Sequence, residues 1–289
     1  MEYRFLGDID FDSIYQAFTE AFSDYFVPLH LLTKEQLREM MTRRGADLHL
    51  SAGAFDGNRL VGFNLNALDD FYGKRTLYDV ATGVLPTHRR RGIAKALFEF
   101  SLPALRATNA KEYVLEAIEV NHAAIATYSR IGFQVSRKFE AFRRESAAIP
   151  SLASNPAIEI RPITIGWSIT QKFWDWLPSW QNSIASLERS RSEKILLGAF
   201  CNDKFVGYAI AYPSTGDIPQ FAVERSFRRR GVGSALLNAV QSFMSDTTPA
   251  RVINIEATDQ VTMDFLCKIG FQNFLGQYEM KLNLVSSLV

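Results

Sequence analysis

VLPTHRRRGIAKAL, residues 84–97, decides the fold of this chain, and its centre, RRRGIA at Arg89–Ala94, returns as RRRGVG at Arg228–Gly233. The apolar run that precedes it, Leu77–Leu85, predicts a strand. The apolar residues that follow the glycine fall at helical spacing, which predicts a helix that begins at Ile93. The stretch is therefore a turn that carries three arginines from a strand into the N-terminus of a helix.

Two further matches show that the repeat extends along the chain. GAF at Gly53–Phe55 returns at Gly198–Phe200, and IGF at Ile131–Phe133 returns at Ile269–Phe271. The matches keep the same order and nearly the same separation, and together they are too many for chance. The chain is therefore a duplication.

The segment between the copies, Arg144–Pro156, is rich in serine, alanine and proline, which disfavour a helix interior or a central strand. We predict two domains, at residues 1–148 (the first copy) and 157–289 (the second copy). The first copy has extra residues at Asp69–Arg75. They fit either a surface loop or, more simply, a longer hairpin.

Periodicity predicts the element order β-α-α-β-β-β-α-β-α-β for each copy. In the first copy, Thr33 followed by Gln36 predicts a capping box that opens a helix at Lys34–Arg44. Pro103 is expected to kink or end the helix that begins at Ile93. In the second copy, helical material is expected from Thr170 to Ser190. The plan is a mixed α/β one, with antiparallel hairpins leading into a βαβ unit.

Composition narrows the class of protein. The 289 residues are 47% hydrophobic and 22% charged with a net charge of +1, which predicts packed cores and argues against a protein built mainly to hold nucleic acid. Cys201 and Cys267 give neither a disulfide framework nor a metal-ligand spacing, and the four histidines form no pair at i, i+4. No signal peptide and no membrane-spanning run is evident. We expect a cytoplasmic protein without a metal site.

The repeated turn predicts an anion site. Backbone N–H groups and the positive end of the helix dipole converge there, and Gly92 and Gly231 keep side chains out of the way. Three arginines at a helix N-terminus are unfavourable unless an anion is bound there. A pyrophosphate fits such a concavity. The turn is neither a P-loop, which needs Gly-Lys-Ser/Thr, nor a Rossmann fingerprint, which needs further glycines.

Residues 84–97 closely resemble the acetyl-CoA-binding motif of the GNAT acyltransferase superfamily, and LEA at 115–117, with Asn121, Tyr128 and Gly132-Phe133, resembles that family's second motif. The resemblance covers almost the whole chain, twice over. It implies two tandem acyl-CoA N-acyltransferase folds of mixed α+β class, each a central mixed, largely antiparallel sheet flanked by helices. In such a fold two central strands splay apart to admit the pantetheine arm.

The resemblance also implies the cofactor, acetyl-CoA, and its site. The arm is expected to pair with the backbone at Thr82–Val84. The cofactor-binding residues predicted in this way are Thr82, Val84, Leu85, Arg89, Arg90, Arg91, Gly92, Ile93, Ala94 and Asn121 in the first copy, and Val223, Arg228, Arg229, Arg230, Gly231, Val232, Gly233 and Ser234 in the second.

In this family the substrate amine attacks the thioester directly, while a base takes its proton and an acid protonates the thiolate. Tyr128 matches the family's usual general acid; alternatively, it is an aromatic residue packed on the sheet. Backbone N–H groups near Val84 would polarise the thioester carbonyl. For the base we prefer Glu116, with Glu119 and Asp79 as alternatives among which only geometry can choose.

The two copies differ in their catalytic residues. Leu266 stands four residues before Gly270, where the first copy has Tyr128, and a leucine cannot donate a proton. The counterpart of Asn121 falls in a gap or at Asp259. We expect catalysis in the first copy, while the second binds the cofactor without chemistry or uses a different acid.

The leading functional hypothesis is an acetyl-CoA-dependent N-acetyltransferase that acts on a small-molecule amine. The alternatives are a non-catalytic acyl-CoA-binding or interaction protein and a protein N-terminal or lysine acetyltransferase. We expect neither nucleic acid nor membrane as a partner. The assembly is expected to be a monomer with pseudo-dimeric domains or a homodimer.

Overall fold

The computed structural model describes residues 1–145, 157–164 and 166–285. The strands are β1 (Glu2–Phe5), β2 (Ala46–Asp56), β3 (Arg59–Phe71), β4 (Lys74–Val84), β5 (Glu112–Ile118), β6 (Gln134–Arg144), β7 (Ile158–Pro162), β8 (Ile195–Cys201), β9 (Lys204–Tyr212), β10 (Asp217–Val223), β11 (Ala250–Glu256) and β12 (Gln272–Asn283). The α-helices are α1 (Phe11–Ala21), α2 (Lys34–Arg44), α3 (Ile93–Ala107), α4 (His122–Ile131), α5 (Trp167–Thr170), α6 (Ile184–Arg189), α7 (Val232–Gln241) and α8 (Gln260–Lys268).

The first copy follows the predicted element order, and α2 has the predicted ends. Thr33 Oγ1 accepts from the Gln36 backbone N–H at 3.2 Å, and Gln36 Oε1 accepts from the Thr33 backbone N–H at 2.9 Å. Gly45 ends the helix with φ at +78°, a conformation that glycine adopts without strain. The capping box and the predicted end of the helix at Arg44 are both confirmed.

Three local predictions needed the structure to decide them. The extra residues of the first copy lengthen a hairpin, in which β3 and β4 are joined at Tyr72-Gly73. Pro103 does not end α3, because Leu97 and Leu105 hold the helix in the core on either side of it. The expected helical material at Thr170–Ser190 is broken into short turns and the six-residue α6.

The described residues form two compact units, which we call unit 1 and unit 2. Unit 1 comprises Met1–Ser136, Ala185–Arg191 and the chain from Tyr278. Its strands lie in the order β1-β2-β3-β4-β5-β12. Pairing is antiparallel from β1 to β4 and parallel between β4 and β5. The core between this sheet and helices α3 and α4 includes Phe98, Tyr113 and Met280.

Unit 2 comprises Arg137–Ile184 and Ser192–Gln277. Its strands lie in the order β6-β11-β10-β9-β8-β7. The pairing repeats that of unit 1: β7, β8, β9 and β10 are antiparallel, and β10 and β11 are parallel. Its core is built around α7, with Leu236 fully buried.

The last strand of each copy runs into the other unit: most of β6 lies in unit 2, and the second half of β12 lies in unit 1. From Arg137 onward, β6 of the first copy pairs with β11 in unit 2. From Tyr278 onward, β12 of the second copy lies beside β5 in unit 1, where the Leu284 N–H donates to the Lys111 carbonyl at 3.0 Å. The limits 1–148 and 157–289 stay a prediction for the two sequence copies. The predicted linker falls mostly on residues 146–156, outside the described residues.

None of the helices described is both long and apolar enough to cross a membrane.

Candidate functional site

Both arginine-rich turns have the same backbone conformation. Arg90 and Arg229 have φ of +62° and +61°, and Gly92 and Gly231 have φ of +75° and +90°. The left-handed region is costly for an arginine, and such strain persists where the surrounding structure demands it. The turn therefore keeps a fixed shape in two places of one chain.

The turns direct their N–H groups away from the helices that follow. The first helical bonds run from Ala96 N–H to Gly92 O at 3.0 Å and from Ala235 N–H to Gly231 O at 2.9 Å. The N–H groups immediately before these bonds have no carbonyl within the helix to accept them. A Cβ at Gly92 would meet no described atom within 4 Å, so the concavity in front of the turn is open.

The first arginine of each turn holds the turn to an earlier loop. Arg89 donates to both carboxylate oxygens of Asp24, at 2.6 and 2.7 Å, and to the Ala21 carbonyl at 2.8 Å. Arg228 likewise contacts Asp175 at 2.7 Å and the Val223 carbonyl at 2.9 Å. These guanidinium groups are engaged by the protein, so a ligand at the turn would meet mainly the backbone and the exposed Arg90, Arg91, Arg229 and Arg230.

The strand before each turn separates from its parallel neighbour. Within the described residues, register pairs between β4 and β5 stop at Tyr78–Val114. Those between β10 and β11 consist of Asp217–Arg251. Residues 79–84 therefore have free backbone on the side of β5, where an extended arm can add as a further strand.

Tyr128 lies beside this opening, in contact with a carboxyl group. Its hydroxyl donates to Asp79 Oδ2 at 3.3 Å, and its ring packs edge-on against Phe98. Both roles considered for Tyr128, aromatic packing and proton donation, are compatible with this position. Thr82 also donates to Asp79 Oδ2, at 2.8 Å.

Burial controls the acidity of this pair. It raises the pKa of Asp79 to about 7, against the opposing effect of hydrogen bonds from Thr82 and Tyr128. Burial, and then the nearby Asp79, raise the pKa of Tyr128 well above its ordinary value. A carboxyl group with a pKa near neutrality is suited to proton transfer at physiological pH.

The other predicted catalytic positions lie elsewhere around the opening. Glu116 is half-buried on β5, next to Leu115, which points into the core. Glu119 accepts from the Tyr278 hydroxyl at 2.9 Å. Asn121 is the N-cap of α4, accepting from the Ala124 N–H at 3.2 Å, and it also hydrogen-bonds Tyr25. Asp79 is thus the carboxyl group that the structure brings to Tyr128.

A sequence model of the acetyltransferase (GNAT) family matches residues 11–133 and 163–271, which together exceed half of the chain. The chain belongs to the acetyltransferase (GNAT) family. The two matched stretches correspond to the two copies, so this is a tandem GNAT protein.

Solved structures of GNAT proteins share the fold of the chain. A tandem GNAT protein from the clavulanic acid biosynthesis pathway, determined without AcCoA, is 15% identical, with 99% of this chain and 100% of that one covered and a TM-score of 0.75. A GCN5-related N-acetyltransferase from Sphaerobacter thermophilus is 14% identical over 98% and 95% of the two chains, with a TM-score of 0.74. No curated protein sequence matched the chain.

The second GNAT copy can be aligned with the first from its hydrogen bonds. Asn121 N–H donates to the Ile118 carbonyl at 2.9 Å, and Asp259 N–H donates to the Glu256 carbonyl at 2.8 Å. Asp259 caps α8 as Asn121 caps α4. Of the two possibilities for the counterpart of Asn121, the structure therefore supports Asp259 rather than a gap.

The second copy contains a cavity of about 610 Å³ in front of its turn. It runs from the turn along β10 and between β10 and β11. Aromatic residues of the segment after α5 and residues along α8 complete it. The cofactor-binding residues predicted for the second copy that line this cavity are Val223, Arg228, Arg229, Gly231, Val232, Gly233 and Ser234. This volume is in the range of small-molecule sites.

Sequence reasoning missed Asn64 and Asn66. Both are fully buried on β3, and their amides connect Asp79 to Tyr113. Two asparagines at i and i+2 in an otherwise apolar strand are an available signal, because alternation places them on one face. The second copy has Ala209 and Ala211 in the same positions of the hairpin.

Proposed function

We propose that the chain is an acetyl-CoA-dependent N-acetyltransferase whose first copy acetylates the amine of a small molecule. The observation that supports this most directly is the contact of Tyr128 with Asp79 beside the unpaired end of β4. A proton donor and a proton acceptor stand together where the thioester of a strand-like arm would arrive.

The residues of the first copy fit the cofactor. The turn after β4 offers N–H groups and an open concavity for a pyrophosphate, and residues 82–84 offer backbone for the arm. Bound acetyl-CoA would supply an activated acetyl group. The N–H groups near Val84 and Leu85 would stabilise the oxyanion. Tyr128 would give its proton to the leaving sulfur. Of the three candidate bases, Glu116, Glu119 and Asp79, Asp79 is favoured by its contact with the acid.

The second copy is proposed to bind the same cofactor without turning it over. Its turn repeats the backbone of the first, and its cavity reaches from that turn along β10. Leu266 and Ile218, both buried, stand where the first copy has Tyr128 and Asp79. Neither side chain can exchange a proton, so this copy suits the non-catalytic acyl-CoA-binding role.

Acetyl transfer to a panel of small amines, followed by release of free thiol, tests this function. The panel includes an amino sugar, because a fungal structural neighbour, 15% identical over 97% of this chain and 38% of its own with a TM-score of 0.73, is described as a glucosamine N-acetyltransferase region. Titration calorimetry with acetyl-CoA is expected to show two sites. Gly92→Glu is expected to abolish transfer, and Gly231→Glu to remove one of the two bound equivalents.

Three results would contradict parts of this proposal. Intact binding without transfer to any amine would favour a binding protein. Transfer to peptide amines alone would favour a protein acetyltransferase. Transfer that survives Tyr128→Phe but is lost in Gly231→Glu would place catalysis in the second copy.

The cellular setting belongs to the same proposal. Cys201 and Cys267 are both free thiols, which supports a reducing compartment such as the cytoplasm. Light scattering would distinguish a monomer from a homodimer.

A further inference from the structure

A chain of buried polar side chains lies behind Asp79, and it rests on the function proposed above for this site. Asn64, Asn66 and Tyr113 are each 0% exposed. A buried polar group costs free energy unless it is hydrogen-bonded, and a half-satisfied network is worse than an apolar core. These residues therefore need a reason other than the stability of the fold.

A backbone carbonyl at the far end of this row of side chains decides which way its hydrogen bonds are donated. Asn66 Nδ2 lies 2.8 Å from the Leu50 carbonyl oxygen, which can only accept a hydrogen bond. The Asn66 amide must therefore present its NH2 group on this side. Its Oδ1 then faces Tyr113, whose hydroxyl donates to it.

From Asn66 onward, hydrogen bonds are donated step by step towards the carboxyl group of Asp79. The second N–H of Asn66 donates to Asn64 Oδ1 at 2.8 Å, which turns Asn64 Nδ2 towards Thr82. Asn64 Nδ2 donates to Thr82 Oγ1 at 2.9 Å. The hydroxyl proton of Thr82 is left to donate to Asp79 Oδ2 at 2.8 Å. These three hydrogen bonds, from Asn66 to Asn64, from Asn64 to Thr82 and from Thr82 to Asp79, therefore all run towards the carboxyl group.

The second copy serves as an internal comparison for this row of buried polar side chains. Pairing in both hairpins matches Asn64 with Ala209, Asn66 with Ala211, Asp79 with Ile218 and Thr82 with Phe221. Pairing of the parallel strands matches Tyr113 with Ala250, and the ends of the last helices match Tyr128 with Leu266. All six polar residues have apolar counterparts in the same fold. The fold therefore forms without these hydrogen-bonded side chains, so their role in the first copy is chemical.

We propose that Asp79 is the proton acceptor of the transfer reaction and that Asn64, Asn66, Tyr113 and Thr82 are positioning residues, which hold it as a carboxylate aimed at Tyr128. Donors that face a carboxylate stabilise its charged form, and Thr82 Oγ1 and Asn64 Nδ2 lie 2.8 and 3.4 Å from the Asp79 oxygens. The chain thereby offsets part of the burial that favours protonated Asp79.

The proton moves in a closed sequence. As the amine nitrogen bonds to the acetyl carbon, Asp79 takes the amine proton. As the carbon–sulfur bond breaks, Tyr128 gives its hydroxyl proton to the sulfur. Asp79 then returns its proton to the Tyr128 oxygen across their hydrogen bond, which restores both residues. The products are an amide and a free thiol, and no other reactant is needed.

The charged and titratable groups that face Asp79 come from four elements. They are Tyr25 after α1, Arg44 on α2, Tyr113 on β5 and Tyr128 on α4. The three tyrosines are neutral around pH 7, because their pKa values are raised above the ordinary one. A titration near neutrality at this site therefore belongs to Asp79.

Asn64→Ala tests whether these side chains position Asp79, and the second copy has alanine at this position. Loss of the donor that orients Thr82 is expected to raise the pH midpoint of the acid limb of kcat/KM by about one pH unit, in keeping with a hydrogen bond to a charged group. KM for acetyl-CoA is expected to change little. Tyr113→Phe, which removes a single hydroxyl and keeps the core filled, is expected to move the midpoint the same way by less.

Ser101→Ala is the matched control. Ser101 is fully buried in the same unit and donates to the Phe98 carbonyl at 3.3 Å, outside the chain. Its midpoint is expected to equal that of the wild type. The inference is overturned if Asn64→Ala and Tyr113→Phe leave the midpoint where Ser101→Ala leaves it.

An infrared titration keeps the inference separate from the function on which it rests. The band of the protonated Asp79 carboxyl group is identified by its loss in Asp79→Asn, and its midpoint is expected to rise in Asn64→Ala. If the wild type transfers acetyl to no amine, the proposed function fails and Asp79 is no proton acceptor, yet this band still reports whether the chain holds the carboxylate. An unchanged band in Asn64→Ala refutes the positioning role.

Discussion

At the scale of single residues, Tyr128 separates the two copies. Its hydroxyl contacts Asp79, whereas Leu266 fills the same place in the second copy. The sequence predicts this difference directly, because position within the last helix aligns the two residues. If Tyr128 acts as a proton donor it needs its hydroxyl group, whereas its packing against the core needs only the ring.

Tyr128→Phe is therefore expected to lower kcat for acetyl transfer by roughly 10²-fold or more, with a small change in KM for acetyl-CoA. The ring stays, so the unfolding temperature should change little. Steady-state kinetics and a thermal melt check both parts. A drop in thermal stability that accounts for the whole loss of kcat would contradict the assigned role.

Asp79 also predicts how stability depends on pH. Its pKa is about 7 in the folded protein and is raised above the ordinary value of 3.8, so folding favours the protonated form. The unfolding free energy is then expected to fall as pH rises from about 4 to about 7, because the unfolded chain gives up this proton more readily.

Asp79→Asn is expected to remove this decline, which amounts to at most about 4 kcal/mol at 1.36 kcal/mol per pKa unit. Denaturant unfolding at pH 4 and pH 8 measures it in both proteins. Equal pH dependence in wild type and variant would show that Asp79 does not titrate in this range.

The sequence could name Asp79 as a candidate but could not choose it. Alternation along β4 assigns each residue to a face only if the strand is regular. The pairing of β3 with β4 shifts between Leu65 and Asn66, so the faces on either side of the bulge cannot be counted from one end. The partners of Asp79 depend on that shift.

At the scale of elements, each arginine-rich turn is fixed by an ion pair with the loop after the first helical segment of its copy. The hydrogen bond from Arg89 holds the pKa of Asp24 below its ordinary value. Asp175 pairs with Arg225 and Arg228, the latter the counterpart of Arg89, and its pKa is also lowered. The arginine triplet is legible in sequence, but these distant partners are not.

Asp24→Asn is expected to raise KM for acetyl-CoA about two- to fivefold, since an exposed ion pair contributes at most about 1 kcal/mol. The turn would then be less well ordered before the ligand arrives. Asp12→Asn is the control, because Asp12 pairs with Lys34 at 2.8 Å, far from the turn in sequence. An equal rise in both variants would point to a general electrostatic effect.

Helix ends were predicted from sequence more reliably than helix continuity. The capping box at Thr33 depends on neighbours within one turn, so its outcome is local. Whether Pro103 breaks α3 depends instead on burial of Leu97 and Leu105, which is a tertiary effect. The missing helix at Thr170–Ser190 has the same kind of cause: Pro178 interrupts it, and Trp180 is buried in the unit.

At the scale of the whole molecule, the exchanged last strands are the feature that the sequence could not predict. Strands β6 and β12 end equivalent copies, and backbone pairing does not distinguish one strand edge from another. Met280 of the second copy is fully buried in the core of unit 1, with Tyr113 and Phe133 of the first.

Met280→Ala is expected to destabilise unit 1 by about 2–5 kcal/mol through the cavity it leaves. Hydrogen–deuterium exchange should then rise in β5. Leu236→Ala is the matched variant, since Leu236 is also fully buried and also in the second copy but lies in the core of unit 2. Its effect should appear in β9 instead. Faster exchange confined to unit 2 in both variants would contradict the assignment of β12.

The exchanged strand also fixes an order of events during synthesis. Tyr128 and Asp79 lie in the first copy, but the strand that covers the free edge of β5 lies in the second copy and is translated after both. Until Met280 and Leu284 emerge, β5 lacks its neighbour and the aromatic core around Tyr128 lacks one wall. Unit 1 therefore cannot finish folding when the first copy has been translated, because it still lacks the last strand of the second copy.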